Sequence, residues 1–223
     1  VWIERIGGPG ILALLSAGIG AIHGTAAAFE RDDSLTNADA SWHGEAESDD
    51  LGWSLCGAGD VNGDGFADFL MGSWSNDQGG ENAGKAYLVL GKAQGWLPNS
   101  GAADADASFI GEQEYDTAGA VGLAGDVNGD GYSDFLVGAD GVEGSRGRAY
   151  LFFGREVGWS RDQSLALADA SFLGETVDDY AGIRLAGVGD VNGDGLDDFA
   201  VGAPGTWGEY ESRGKVYLLF GKT

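Results

Sequence analysis

The residues best placed to do chemistry lie in a nine-residue string, DVNGDGxxD, that occurs three times, at Asp60 to Asp68, Asp126 to Asp134 and Asp190 to Asp198. In the first copy Asp60, Asn62 and Asp64 hold positions 1, 3 and 5 and Asp68 holds position 9. The sets Asp126, Asn128, Asp130, Asp134 and Asp190, Asn192, Asp194, Asp198 repeat it. Oxygen ligands that alternate in this way along a tight loop converge on one hard cation, and their number suits Ca²⁺ better than Mg²⁺, which keeps a small octahedral shell rich in water. Position 7 contributes a main-chain carbonyl, so its side chain is free to vary. It does vary, as Phe66, Tyr132 and Leu196. Glycines such as Gly63 and Gly65 allow the positive φ angles that such a sharp turn needs. Asp, Asn and Gly also mark ordinary surface turns; three copies with the same residues at every matching position argue for a metal loop instead. The expectation is three Ca²⁺ sites, one per repeat.

The elements that must position these loops follow from the flanking sequence. An EF-hand needs a bidentate acid at position 12 and a helix on either side. Here position 12 is Met71, Val137 or Val201, which excludes the EF-hand and the related dockerin arrangement. After each loop come Phe69 to Gly72, Phe135 to Gly138 and Phe199 to Gly202, short apolar runs stopped by glycine that read as buried strands. Other landmarks share the period of 66 and then 64 residues. Ala40 to Glu45, Ala107 to Glu112 and Ala170 to Glu175 lie upstream; Gly84 to Gly91, Gly147 to Gly154 and Gly214 to Gly221 lie downstream. Each unit offers about four short strands separated by Gly and Asp turns, the content of one propeller blade. The fold class is all-β, with three propeller-type blades of antiparallel strands.

Residues 40 to 222 resemble the FG-GAP repeat family, known from the propeller domain of integrin alpha chains and from microbial surface proteins. The resemblance rests on the three loops and on the segments after them: Gly72-Ser73-Trp74, Gly138-Ala139-Asp140 and Gly202-Ala203-Pro204, of which only the last is a literal GAP. The FG element keeps its glycine but not its Phe, as Leu51-Gly52, Ala118-Gly119 and Ala181-Gly182. The resemblance implies a four-stranded blade with calcium in the loop between its first two strands. It also implies ligand roles for the residues named above.

Three blades are fewer than the four to eight of a closed propeller. Open strand edges invite pairing with another chain. If the ASFxG segment is the outer strand of the preceding blade, Ala40 to Gly44 has no blade before it and the third blade has no outer strand after it. The expectation is therefore a strand shared between chains, giving a homo-oligomeric ring or a helical polymer according to the rotation of the contact. The competing expectation is a segment of a longer propeller chain.

Residues 1–39 read as a separate N-terminal segment and 40–223 as the blade domain. From Ile6 to Phe29 there is no Asp, Glu, Lys or Arg. The preferred reading is an apolar arm buried by a neighbouring subunit, ahead of a signal peptide or membrane anchor. The chain carries 36 acids against 12 Lys and Arg, a formal charge of −24. That balance argues against nucleic acid and anionic membrane surfaces as partners, and three bound Ca²⁺ would offset only a quarter of it. Cys56 is the single cysteine, so no intrachain disulfide forms. It reads as a small buried residue. Extracellular calcium saturates even weak loops of this kind whereas cytosolic calcium does not, which points to the cell exterior or surface.

Only two histidines, His23 and His43, are present, neither paired with a repeated nucleophile or acid, so no enzyme is expected. Trp96 and Trp159 follow the same strand in successive repeats and read as packing, whereas Trp74 and Trp207 fall in loops and are the better surface candidates. The expected function is a secreted or cell-surface calcium-binding structural protein that self-assembles. The alternative is an adhesion or ligand-binding propeller module with an extracellular protein or glycan ligand, or the accessory domain of a longer extracellular enzyme.

Overall fold

Gly-stopped apolar runs flanked by Asp-Gly turns have little choice but short antiparallel strands, and the chain follows that pattern throughout. A computed structural model describes residues 34–205 and 213–223, so the N-terminal apolar arm and Trp207 lie outside the described residues. The chain divides between Asn37 and Ala38 into two units, and the strands described below all belong to the second.

In chain order the strands are β1 (Trp42–His43), β2 (Ser54–Gly59), β3 (Asp68–Ser73), β4 (Lys85–Val89), β5 (Ser100–Gly101), β6 (Ala107–Ile110) and β7 (Ala118–Gly125). They continue as β8 (Asp134–Ala139), β9 (Arg148–Phe152), β10 (Gln163–Ser164), β11 (Ala170–Leu173), β12 (Arg184–Gly189), β13 (Asp198–Ala203) and β14 (Lys215–Leu219). Blade 1 is β2-β3-β4-β6, blade 2 is β7-β8-β9-β11 and blade 3 is β12-β13-β14. All pairings within a blade are antiparallel, and the register repeats: Phe69 faces Val89, Phe135 faces Phe152 and Phe199 faces Leu219. The central strands β3 and β8 are apolar on both faces and covered on both sides, which is why they read as continuous hydrophobic runs, while β13 carries the same kind of run with the face of Ala200 and Gly202 only half-buried.

The outer strands come from the ASFxG segments. In blade 1 Phe109 lies opposite Ala86, and in blade 2 Phe172 lies opposite Ala149. In blade 3 no strand is described on the far edge of β14, so the expected content of about four strands is met in two blades and stops at three in the last. The strand β1 pairs in parallel with β5, just as the outer strand β6 pairs in parallel with β10. It is thus a fourth strand without a blade of its own. The three blades do not close into a ring, in line with the expectation from their number.

One core fills each joint between blades. Between blades 1 and 2, Phe109 of the outer strand packs on Phe135, Phe152 and Trp159 at ring-centroid distances of 5.4, 4.5 and 6.4 Å. Trp42 meets Phe69 and Trp96 in the same way, at 5.2 and 6.1 Å. The Trp96 and Trp159 indoles donate to the carbonyls of Lys92 and Arg155 at 3.0 Å each. Both tryptophans therefore pack, as their repeat spacing suggests. Burying one such ring fully contributes about 1.5–3 kcal/mol. Among the described residues no helix is long and apolar enough to cross a membrane.

Candidate metal centre

Each DVNGDGxxD loop joins the first and second strands of its blade, and its backbone is held by its own acids. Asp60 accepts N–H groups from Gly63 at 2.7 Å, Asp64 at 3.1 Å and Gly65 at 2.9 Å. Asp64 accepts the Phe66 N–H at 2.9 Å and the Asn62 side-chain amide at 2.9 Å. Asp68 is buried and accepts the Val61 N–H at 2.8 Å and the Gly91 N–H at 2.7 Å, so it ties the loop to the end of β4. Asp126 to Asp134 and Asp190 to Asp198 repeat these bonds. Gly65, Gly131 and Gly195 take φ of 88°, 91° and 92°, a turn that a residue with a Cβ resists.

Electrostatics shows what this frame costs. Burial pushes the Asp68 carboxyl up, and Asp64 and Asp60 push it further, against the pull of two N–H donors. Asp134 is raised to about 7 for the same reasons, burial first, then the charges of Asp130 and Asp126. Asp190, exposed, is instead held low by the N–H of Gly195 and its neighbours. None of the ion pairs among the described residues involves a loop carboxylate. Nor do three or more His, Cys, Asp or Glu side chains gather as a ready metal shell among the described residues. Asp60 Oδ1 accepts two of these N–H groups, whereas Asp60 Oδ2 and both oxygens of Asp64 and Asp68 accept one each and keep a second lone pair. Three uncompensated carboxylates and one amide oxygen in nine residues form a donor set that fits a hard cation.

The loops also tie neighbouring blades together. The Asp60 carbonyl accepts the Ser133 N–H of the next loop at 3.0 Å, and the Val61 carbonyl accepts the Arg155 N–H at the end of β9 at 2.7 Å. Asp126 and Val127 repeat this with Asp197 and Lys222, at 3.1 and 2.8 Å. Position 7 takes part. A Cβ on Gly63 would lie 2.7 Å from the Tyr132 ring, and one on Gly129 would lie 2.9 Å from Leu196. The side chain that looked free to vary is thus the one that rests on the preceding loop. Phe66, in the first of the three loops, is 44% exposed. Val61 and Val127 are 0% and 3% exposed because the next blade covers them, while Val191 in the third loop is 53% exposed.

A second tie was present in the sequence but not read from it. Glu45, Glu112 and Glu175 end the ASFxGE segments, and each meets a basic residue and a tyrosine two positions apart on the following blade. Glu45 accepts from Lys85 Nζ at 2.7 Å and from Tyr87 at 3.0 Å. Glu112 accepts from Tyr150 at 2.6 Å and lies 3.6 Å from Arg148. Glu175 pairs with Lys215. The matching period of Glu and of [Lys/Arg]-x-Tyr is the signal that would have found it. Two expectations need correction. Cys56 is half-buried on β2, its Sγ accepting the Leu123 N–H of blade 2 at 3.2 Å, because the inner strand faces the joint and not a closed core. Trp74 is half-buried with its indole 6.0 Å from Trp53, and the exposed ring of that pair is Trp53.

The class defined by this fold and site is a tandem array of antiparallel blades, each carrying an acidic turn between its first two strands. The FG-GAP repeat model matches residues 51–89, 118–152 and 181–219, and the chain belongs to the FG-GAP repeat family. It is 34% identical over 168 residues to integrin alpha-PS2 of Drosophila melanogaster, covering 69% of this chain and 11% of that protein. Integrin alpha-X of Homo sapiens is 34% identical over 179 residues, 76% of this chain and 13% of the relative. Integrin alpha-V of Gallus gallus is 32% identical over 202 residues, 86% of this chain and 17% of the relative. The chain thus spans less than a fifth of the length of these relatives.

Proposed function

We propose that this chain is a calcium-braced FG-GAP module of the cell exterior that binds a protein or glycan partner, as a non-catalytic adhesion-type propeller unit. The observation that carries the calcium reading is the threefold repetition of one hydrogen-bond frame around three unpaired carboxylates. The ions would be held by Asp60, Asn62, Asp64, the Phe66 carbonyl and Asp68, and by the matching sets at 126–134 and 190–198. A bound Ca²⁺ supplies positive charge and stiffness to the loop; the protein's own residues set the turn and dock it on the next blade. The likeness to integrin alpha chains supports the adhesion reading, and calcium of extracellular concentration supports the location.

Calorimetric titration of the purified chain with Ca²⁺ tests this reading. Three ions per chain are expected, falling to two in Asp130→Ala, with that variant losing about 1–2 kcal/mol of stability in calcium. An unchanged stoichiometry and melting temperature in Asp130→Ala would remove the ligand assignment.

A further inference from the structure

Blade 1 starts β4 with a lysine, Lys85, where blade 2 starts β9 with Arg148, and Lys85 is 2% exposed. Three separate segments converge on its ammonium group. Nζ lies 2.7 Å from Glu45 Oε1, 2.7 Å from Asp162 Oδ1 and 2.5 Å from Gln78 Oε1. Glu45 follows β1, Gln78 lies in the loop between β3 and β4, and Asp162 directly precedes β10. Asp162 is itself held in place: its main-chain N–H donates to Ser108 Oγ at 2.8 Å, and the Ser108 hydroxyl donates to its Oδ1 at 3.1 Å. The Gln78 side-chain amide donates to the same carboxylate. Glu45 also accepts from the Tyr87 hydroxyl at 3.0 Å.

An ion pair needs one carboxylate and no amide. Here an amine sealed from solvent touches a carboxamide oxygen, and a single carboxylate touches both that amine and the amide nitrogen. Those are the parts of an acyl transfer between side chains: a nucleophile, an electrophile and a group that moves protons from one to the other. The amine and the carbonyl are already in contact, so the encounter that limits such a reaction in solution is removed. Lysine can give up a proton and attack, whereas the arginine that replaces it in blade 2 stays charged. Arg148 accordingly makes only ion pairs, with Glu143 and Glu112 at 3.1 and 3.6 Å.

We infer that Lys85 and Gln78 are joined by an isopeptide bond that the folded chain forms by itself, with ammonia as the leaving group. Asp162 takes one proton from Nζ, the freed amine attacks Cδ of Gln78, and Glu45 takes the second proton as the new C–N bond forms. Asp162 then passes its proton to Nε2, the Cδ–Nε2 bond breaks with its electron pair on nitrogen, and ammonia departs. Glu45 releases its proton to solvent, so both carboxylates end as they began and nothing is oxidised or reduced. The side chains of Glu45 and Asp162 are 25% and 47% exposed, which lets water solvate them once the ammonium charge is gone. The bond staples the β3–β4 loop to the first residue of β4, making permanent in blade 1 a tie that blade 2 keeps reversible. No residue of the calcium loops takes part, so the bond stands or falls apart from the metal.

The test is a tryptic digest of the full chain, folded and kept in neutral buffer, read by high-resolution mass spectrometry. Trypsin cuts only after a lysine with a free ammonium, so the linked chain should give one peptide, residues 32–92, uncut at Lys85. That peptide should weigh about 17 Da less than its sequence, for the ammonia lost. Its backbone fragments should be missing between Gln78 and Lys85. Gln78→Ala replaces an exposed residue and should restore the cut at Lys85 with no loss of mass. Asp162→Ala should slow linking by about a hundredfold, read as the linked fraction against time. A wild type that circular dichroism shows folded, yet is cut at Lys85 and has its full mass, overturns the inference. A loss of about 18 Da overturns it too, since that is water and places the bond on Asp162 or Glu45. Linking as fast in Asp162→Ala as in the parent overturns the proton route.

Discussion

The first two loops and the third are built from the same residues, yet Val61 and Val127 are sealed while Val191 lies open to solvent. Local sequence does not explain the difference, because the bonds inside each loop are the same. What differs is the neighbour. The carbonyls of Asp60 and Val61, like those of Asp126 and Val127, accept N–H groups from the following blade. A blade in this chain is therefore finished by the next one, and its stability belongs to the pair, as in other repeat arrays where nearest-neighbour interfaces add to each repeat.

Removing calcium should act most strongly on this contrast. If the three sites bind with dissociation constants roughly tenfold below the ambient calcium, chelation costs about 4 kcal/mol, or roughly 8–16 °C in melting temperature. The third site should be the weakest, visible as the last to fill in a titration followed by NMR of Gly65, Gly131 and Gly195. Equal affinities at all three would break the comparison. Next in size is the core of the joints. Phe109→Ala, between two complete blades, should cost about 3–5 kcal/mol, and Phe172→Ala, beside the half-open third blade, about 2 kcal/mol less in chemical denaturation. At position 7 the contrast narrows: Tyr132→Ala loses its rest on Gly63 and about 1–2 kcal/mol, while Phe66→Ala should stay within about 0.5 kcal/mol in the monomer.

The smallest effect concerns Asp140, after β8. Burial raises its carboxyl despite the Thr117 hydroxyl, which donates to it at 3.0 Å, and the nearby Arg184 charge. The folded chain thus holds this proton more tightly than the unfolded chain. The associated stability is complete below the ordinary carboxylate range and is lost as pH climbs through the raised folded value. Asp140→Asn should therefore melt slightly higher than the parent near pH 7, with the gap closing on acidification to about pH 4. A constant gap across that range would assign the effect to something other than the proton.

The blades and their loops were legible in the sequence because Asp, Asn and Gly recur at fixed positions and the apolar runs stop at glycine. Ala107 to Ile110 and Ala170 to Leu173 fell where the repeat placed them, on the outer edges of blades 1 and 2. What could not be read was anything that depends on two repeats at once. Tyr132 looked unconstrained because its partner, Gly63, lies in another loop. Cys56 looked like a core residue because an apolar strand does not reveal which of its faces meets a joint. Glu45, Glu112 and Glu175 were seen as part of a motif, but their partners at Lys85, Arg148 and Lys215 lie some 40 residues on.

The position-seven side chains give the array a direction. Since each later loop leans on the one before it and each earlier loop is capped by the one after, every joint is one-way, and neighbouring units overlap like a row of roof tiles.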